Sequence, residues 1–312
     1  ELPLDDKFLE IDSENLAIPI ILNKFNPIEL RIKAANKSYI NGDISIDSLA
    51  ALYQSVDFDS NQLENPEGIR EKLDNKNELL MAYYFQFINI QFSPSERLSA
   101  IINFWDFAKE IHLEKIAYAM CDKIIQSIDF NSSNAEFAHK IATAFIFNKK
   151  YDLASKWIEF HINTIGDNQS ILNAKILLQL YSTDDVSLII NLVSSNTDST
   201  EDLIDKNKEE LLYIMLSTLG GSTKLNLSNT NENVFDDRQY LSLFAKERIN
   251  QSIKDEKNDF FLIYSALSMN NKEWKEIHPE HLKLILTGYL SYENTKLLKE
   301  IMIEIFENYN IL

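Results

Sequence analysis

Glycine and proline are scarce in this chain, which has 6 of each in 312 residues, where average usage would be roughly 7% and 5%. That scarcity argues against a turn-rich all-β protein and against an α/β fold whose loops cradle phosphate with glycine. Cysteine is rarer still: Cys121 stands alone, so no intramolecular disulfide forms. It lies on the apolar stripe of Ile116, Ala117, Met120 and Ile124, which predicts a buried and inert thiol. No run of about 18 apolar residues occurs, so no membrane span is expected. Basic residues are outnumbered, 30 Lys and Arg against 48 Asp and Glu, for a formal net charge of -18. Nucleic acid draws its affinity from cations that neutralise phosphate, so it is disfavoured as a partner, and so is an anionic membrane. A neutral or basic protein fits that charge more easily, and the acidity itself serves solubility.

The common catalytic motifs are missing as well. There is no G-x-x-x-x-G-K-[ST], no H-E-x-x-H, no G-x-S-x-G and no cysteine pair at metal-binding spacing. LGGSTK, from Leu219, lacks the spacer of a phosphate loop and follows no strand, so it reads as a helix end and a loop. DFDSN, from Asp57 to Asn61, offers the first three oxygens of a calcium loop. Gln62 then stands where the turn glycine belongs and Gly68 where the bidentate Glu belongs, so capping or turn formation is the expected role. His278 and His281, with Glu280 beside them, are the best metal candidate. Pro279 at a first helical turn accounts for the segment without metal, and only two imidazoles are in reach. No metal and no cofactor is expected.

What the chain has in plenty is helical periodicity. At this length about 75% of the unfolded surface can be buried, enough for a core without covalent staples. A helix is expected after Asn26 as N-cap, with Pro27 first and Leu30 and Ala34 inward, ending at Gly42. A second starts near Ser45 and carries Leu49, Leu52 and Tyr53. NELLMAYYFQFINIQ reads as a helix buried on most sides. Pro94 opens the next, with Leu98, Ile101, Trp105 and Ala108 on one stripe, and Leu113, Ala117, Met120 and Ile124 follow on its partner. Ser170 to Tyr181 and Val186 to Val193 suggest a further pair. Two polar stretches, from Ser194 and from Gly220, flank a helix at Glu209 to Leu219. Helices over Tyr240–Ile253, Asp259–Met269, His278–Tyr289 and Thr295–Tyr309 close the chain, the last amphipathic through Leu298, Ile301, Ile305 and Phe306. The expected division is an N-terminal array over 1–193 and a C-terminal helical region over 194–312, continuous with it.

The aromatic residues Tyr83, Tyr84, Phe85, Phe87, Phe104, Trp105 and Phe107 raise the possibility of a groove for a peptide or glycan chain. Helical spacing favours core for most of them, and because they fall on both sides of a helix, some must be core.

Asn134 to Asp167 is the clearest unit, two short antiparallel helices turning at NKKYD. Ala138, Ala142 and Phe145 share one stripe, and Ala154, Trp157, Ile158 and His161 the other. With Ala142 and Ala154 at small-residue positions, Phe145 at the aromatic position and Tyr151 at the turn, this unit resembles a tetratricopeptide repeat. Lys149 stands where that family often has Gly, and Gly166 where it often has Pro. The resemblance implies an all-α superhelix, a solenoid of stacked antiparallel helical hairpins, with Glu136, His139, Thr143 and Ile146 facing a groove. Over a wider span, LPL at Leu2, SLAALYQSVDF from Ser48, LENP from Leu63 and HPEHLKLIL from His278 resemble an uncharacterised bacterial family of helical proteins, sometimes labelled antifreeze-glycopeptide related. Lacking Thr-Ala-Ala repetition, this chain is no antifreeze glycopeptide. Members usually carry an export signal, and a start at Glu1 suits either its removal or a shortened chain. The expectation is a non-catalytic scaffold for a protein or peptide partner, placed in the periplasm or otherwise exported, with the cytoplasm as the alternative. A small-molecule ligand stays open. Two other readings stand beside it: an enzyme or enzyme-associated domain acting on cell-wall glycan, and a structural subunit of an envelope assembly docking through the C-terminal helix.

Overall fold

The computed structural model describes residues 17–73, 76–182, 206–219, 238–292 and 295–308. Among them every regular element is helical, and the single β-type pairing is an isolated parallel bridge between Gln239 and Ile277. The chain divides into two compact units, Glu1–Gly166 and Asp167–Leu312. The 193/194 boundary expected from the sequence, the helix at Val186–Val193, LGGSTK beyond its first residue and most of both polar stretches lie outside the described residues.

The first unit holds α1 (Ala17–Leu22), α2 (Ile28–Ile40), α3 (Ile46–Gln54), the short α4 (Ser60–Leu63) and α5 (Pro66–Lys72). After them come α6 (Asn77–Ile90), α7 (Pro94–Glu110), α8 (Glu114–Ile125), α9 (Ala138–Phe147) and α10 (Tyr151–Thr164). Pro94 occupies the first turn of α7, where its missing N–H costs nothing, and Ser45 caps α3 by accepting from the Ser48 N–H. Asp59 caps α4 in a reciprocal box with Gln62, so DFDSN does the capping work expected of it. Asn26 departs from expectation: it is buried, and its Nδ2 donates to the Ile20 carbonyl at 3.1 Å. It therefore ties α1 to α2, and α2 begins one residue later, after Pro27.

Scarce glycine does not prevent tight turns. Gly42 (φ 85°) ends α2 with the Asp43 N–H bonded back to the Ser38 carbonyl. The same six-to-one closure recurs at His112 (φ 59°), where Leu113 N–H reaches Ala108 O, and at Lys149 (φ 60°), where Lys150 N–H reaches Phe145 O. Lys149 thus holds at the end of α9 a left-handed conformation of the kind glycine adopts without steric cost.

The helices are stitched by buried and part-buried polar contacts as well as by apolar packing. Tyr53 Oη donates to Asn36 Oδ1 at 2.8 Å, joining α3 to α2. Gln86 Nε2 on α6 satisfies the Tyr53 and Val56 carbonyls at the end of α3, both at 2.8 Å. Asn148 Nδ2 reaches the Tyr118 carbonyl at 3.0 Å and ties the end of α9 to α8. Trp105, Tyr83, Phe104, Phe145 and Trp157 are among the largest fully buried side chains. Cys121 is fully buried too, and burial pushes its thiol up to about 12.

In the second unit α11 (Gln169–Ser182), α12 (Lys206–Leu219), α15 (Pro279–Ser291) and α16 (Thr295–Asn308) share a core of Leu180, Leu211, Met215, Leu286, Leu298, Met302 and Phe306 among others. The pair α13 (Leu243–Lys254) and α14 (Asn258–Met269) packs alongside. Gly288 makes one close approach possible, since a Cβ there would lie 2.1 Å from the Phe261 ring.

Candidate cleft on the first unit

The back of α7 is a polar stripe. Glu96, Ser99, Asn103, Asp106 and Glu110 recur at three- and four-residue steps, opposite the buried Leu98, Ile101, Trp105 and Ala108. Beside that stripe α5 contributes Pro66 and Arg70, and α6 contributes Tyr84 and Phe87, with Gln91 at its end. Together with Ser95, Ala100 and Phe107 they enclose an open cleft of about 600 Å³.

Its floor is aromatic. Tyr84 stands 5.2 Å from Phe107 and 6.2 Å from Phe104, and Tyr83 stacks on Phe87 at 5.9 Å. Of the seven aromatic residues singled out in the sequence, Tyr83, Phe85, Phe104 and Trp105 are core, whereas Tyr84, Phe87 and Phe107 reach the cleft. Arg70 bridges wall and floor: it holds Glu110 at 3.2 Å and lies against Tyr84, whose hydroxyl is pushed up mainly by burial. Asp106 accepts from Lys140 Nζ at 2.7 and 2.8 Å, carrying the cleft wall across from α7 to α9.

The four groove positions implied by the repeat resemblance flank Lys140 unequally. Glu136 is exposed, on a 3-10 turn (Ser132–Phe137) that opens the unit before α9 begins. His139 and Thr143 are half-buried, and Thr143 Oγ1 donates to the His139 carbonyl at 2.9 Å. The His139 ring turns inward toward His161, 6.3 Å away and edge-on, with its titration lowered by burial first and by Lys140 second. His161 Nδ1 meets the Ala135 carbonyl at 2.8 Å and pins the hairpin shut. Ile146 is fully buried, so it packs instead of facing a groove. Near its end α9 is enclosed on almost every side, with Ala142, Ala144, Phe145 and Ile146 all buried, and no outward stripe survives there.

Arg70, Glu96, Ser99 and Asn103 are absent from the residues that sequence reasoning marks as a site. The polar stripe of α7 is a legible signal, whereas the placement of α5 beside it is not.

Elsewhere the candidate metal pair separates. His278 Nδ1 caps α15 by accepting from the Glu280 N–H at 3.3 Å, under the Tyr240 ring at 4.0 Å, while His281 is buried with Nε2 2.8 Å from Ser268 Oγ. No cluster of three metal-ligating side chains occurs among the described residues. The Ser268 hydroxyl donates its one proton to the Ser265 carbonyl at 2.7 Å, so the imidazole must donate to the serine. That polarity is the reverse of a base activating a nucleophile.

No described helix is long and apolar enough to cross a membrane. Comparison with family models, with curated proteins and with solved structures yields no match for this chain.

Proposed function

We propose that this chain is a non-catalytic helical-repeat scaffold of the bacterial envelope, binding a protein or peptide segment in the cleft between α5, α6 and α7 and along the neighbouring edge of α9. One observation carries the reading: the Asp106–Lys140 bond joins the aromatic-floored cleft to the helix turn between Glu136 and Thr143. Because Glu136, Lys140 and Thr143 fall on one side of their helices, cleft and edge form a continuous face. An apolar floor under a polar rim suits a chain that offers alternating apolar and polar groups. The tetratricopeptide resemblance supports the same face, and the envelope placement rests on the wider family resemblance.

Asn103 is exposed on the cleft wall, so Asn103→Trp should fill the space without disturbing the core. Capture from an envelope extract by the parent chain should return a stoichiometric protein that Asn103→Trp fails to retain. A partner held equally by both would retire the cleft.

The glycan reading is favoured by three aromatics and three carboxylates in one cleft. Two of the carboxylates, Asp106 and Glu110, are bonded to cations, whereas glycoside hydrolysis needs a carboxylic acid free to give its proton. A glycan retained in place of a protein would favour it. The subunit reading has less support, because the apolar face of α16 that would dock is already inside the core, with Leu298, Ile301, Ile305 and Phe306 buried.

A further inference from the structure

Four charged side chains line the cleft, and their balance is acidic: Arg70 against Glu96, Asp106 and Glu110. Arg70 is occupied by Glu110 at 3.2 Å, and Lys140 supplies the counter-charge of Asp106 at 2.7 Å. Glu96 is different. It is exposed in the first turn of α7, and among the described residues no cation stands within ion-pair distance of it. The carboxylate thus shares the cleft with Tyr84 and Phe87, and a carboxylate beside aromatic rings is the combination that attracts an ammonium or guanidinium group. An acidic peptide would meet this carboxylate and a chain of net charge -18, and like charges repel.

We propose that the occupant of the cleft is a peptide segment bearing lysine or arginine, whose cation sits against Glu96 and the aromatic floor. This rests on the cleft being a peptide site at all, and it adds the charge of the peptide. The apolar stem of the long cationic side chain lies along the aromatic floor, and its head meets Glu96 where that floor reaches the rim. The bonds already made by Asp106 and Glu110 keep the walls in place, leaving Glu96 as the selecting group.

The test uses the full chain and three fluorescent nine-residue peptides of equal aromatic content, bearing lysine, glutamine or glutamate at the same positions, with anisotropy as the readout. The lysine peptide should bind on the order of tenfold more tightly than the glutamine one, with the glutamate peptide weakest, and added salt should narrow the gap. Glu96→Gln should weaken the lysine peptide about three- to fivefold, in line with an exposed ion pair, and leave the glutamine peptide unchanged. Asn103→Trp should weaken both. Glu159→Gln, which removes the same charge from an exposed position of α10, should change neither.

Equal binding of lysine and glutamine peptides, both lost in Asn103→Trp, would overturn the charge assignment and leave the peptide site standing. A lysine peptide indifferent to both Glu96→Gln and Asn103→Trp would mean diffuse attraction to an acidic chain, and both ideas would fall. Displacement by spermidine at matching concentration would make the ligand a small cation, and displacement by chitotetraose would make it a glycan. Either result overturns the proposal.

Discussion

Two hairpins of similar length, α9–α10 in the first unit and α13–α14 in the second, both turn through a non-glycine residue in the left-handed region, Lys149 (φ 60°) and Glu256 (φ 55°). They differ in what they bury. In α9–α10 the apolar stripes are closed, with Ala142, Phe145, Ala154 and Trp157 each at most 2% exposed. In α13–α14 Leu243, Phe244, Ile263 and Leu267 are 53–82% exposed, and the buried positions include Ser252, Ser265 and Ser268. Helical period therefore reports where a helix can be covered, not whether it is. Small side chains at the crossing let α9 and α10 close on each other, whereas α13 and α14 leave several of their larger apolar groups outside.

The sharpest break of that contrast is a pair of truncations. Trp157→Ala should lower stability by about 3–5 kcal/mol through lost burial and a cavity, whereas Phe244→Ala should stay within about 0.5 kcal/mol, as exposed positions do. Denaturant midpoints read both; equal losses would mean that α13–α14 is covered in solution.

Overpacking comes next. Ala142→Leu and Ala154→Leu should each cost about 1–3 kcal/mol, against little change for Thr143→Leu. The second unit has its own tight crossing at Gly288. Glycine to alanine inside a helix ordinarily gains about 1 kcal/mol. Here the new Cβ would meet Phe261 at 2.1 Å, so Gly288→Ala should instead lose about 1–3 kcal/mol. A gain in melting temperature would show that Phe261 can swing away.

Acid should separate the units as well. His281 titrates near pH 4, lowered by burial and then by the neighbouring His278. A folded value below the ordinary 6.5 means that the unfolded chain takes up the proton first. The stability His281 contributes is complete above about pH 6.5 and is lost as pH falls toward 4, by at most about 3 kcal/mol. His281→Gln should flatten that slope when unfolding of the second unit is followed between pH 7 and 4. His139 is lowered in the same direction, so an acid slope should persist in the first unit of the variant.

The smallest effect lies in the turns themselves. Lys149→Gly and Glu256→Gly relieve a left-handed side chain at some entropic cost, and each should raise stability by about 0.5 kcal/mol. A larger gain in only one hairpin would show that its turn carries the greater strain.

Local chemistry made the helices readable. Ser45, Pro94 and His278–Pro279 mark starts that capping geometry requires, and the stripe from Leu98 to Ala108 is buried as its spacing implies. The residues that went unread depend on distant chain. Asn26 looks like a cap until α1 presents the Ile20 carbonyl to it, and Ile146 looks outward until α9 is enclosed. Of the cleft, the aromatic floor was visible as a cluster, but Glu96 and Asn103 were ordinary surface residues until α5 placed Arg70 opposite them.

Cys121 has a practical consequence. As the only thiol in the chain, fully enclosed and held protonated at neutral pH, it reacts with an alkylating reagent only when its surroundings open. The alkylation rate is thus a clock for opening of the first unit alone, and under fast reclosing it reports the free energy of that opening. The second unit, without a thiol, is silent in the same experiment. A ligand that slows the clock must hold the first unit closed, so occupancy of the cleft can be followed without attaching any probe to the protein beforehand.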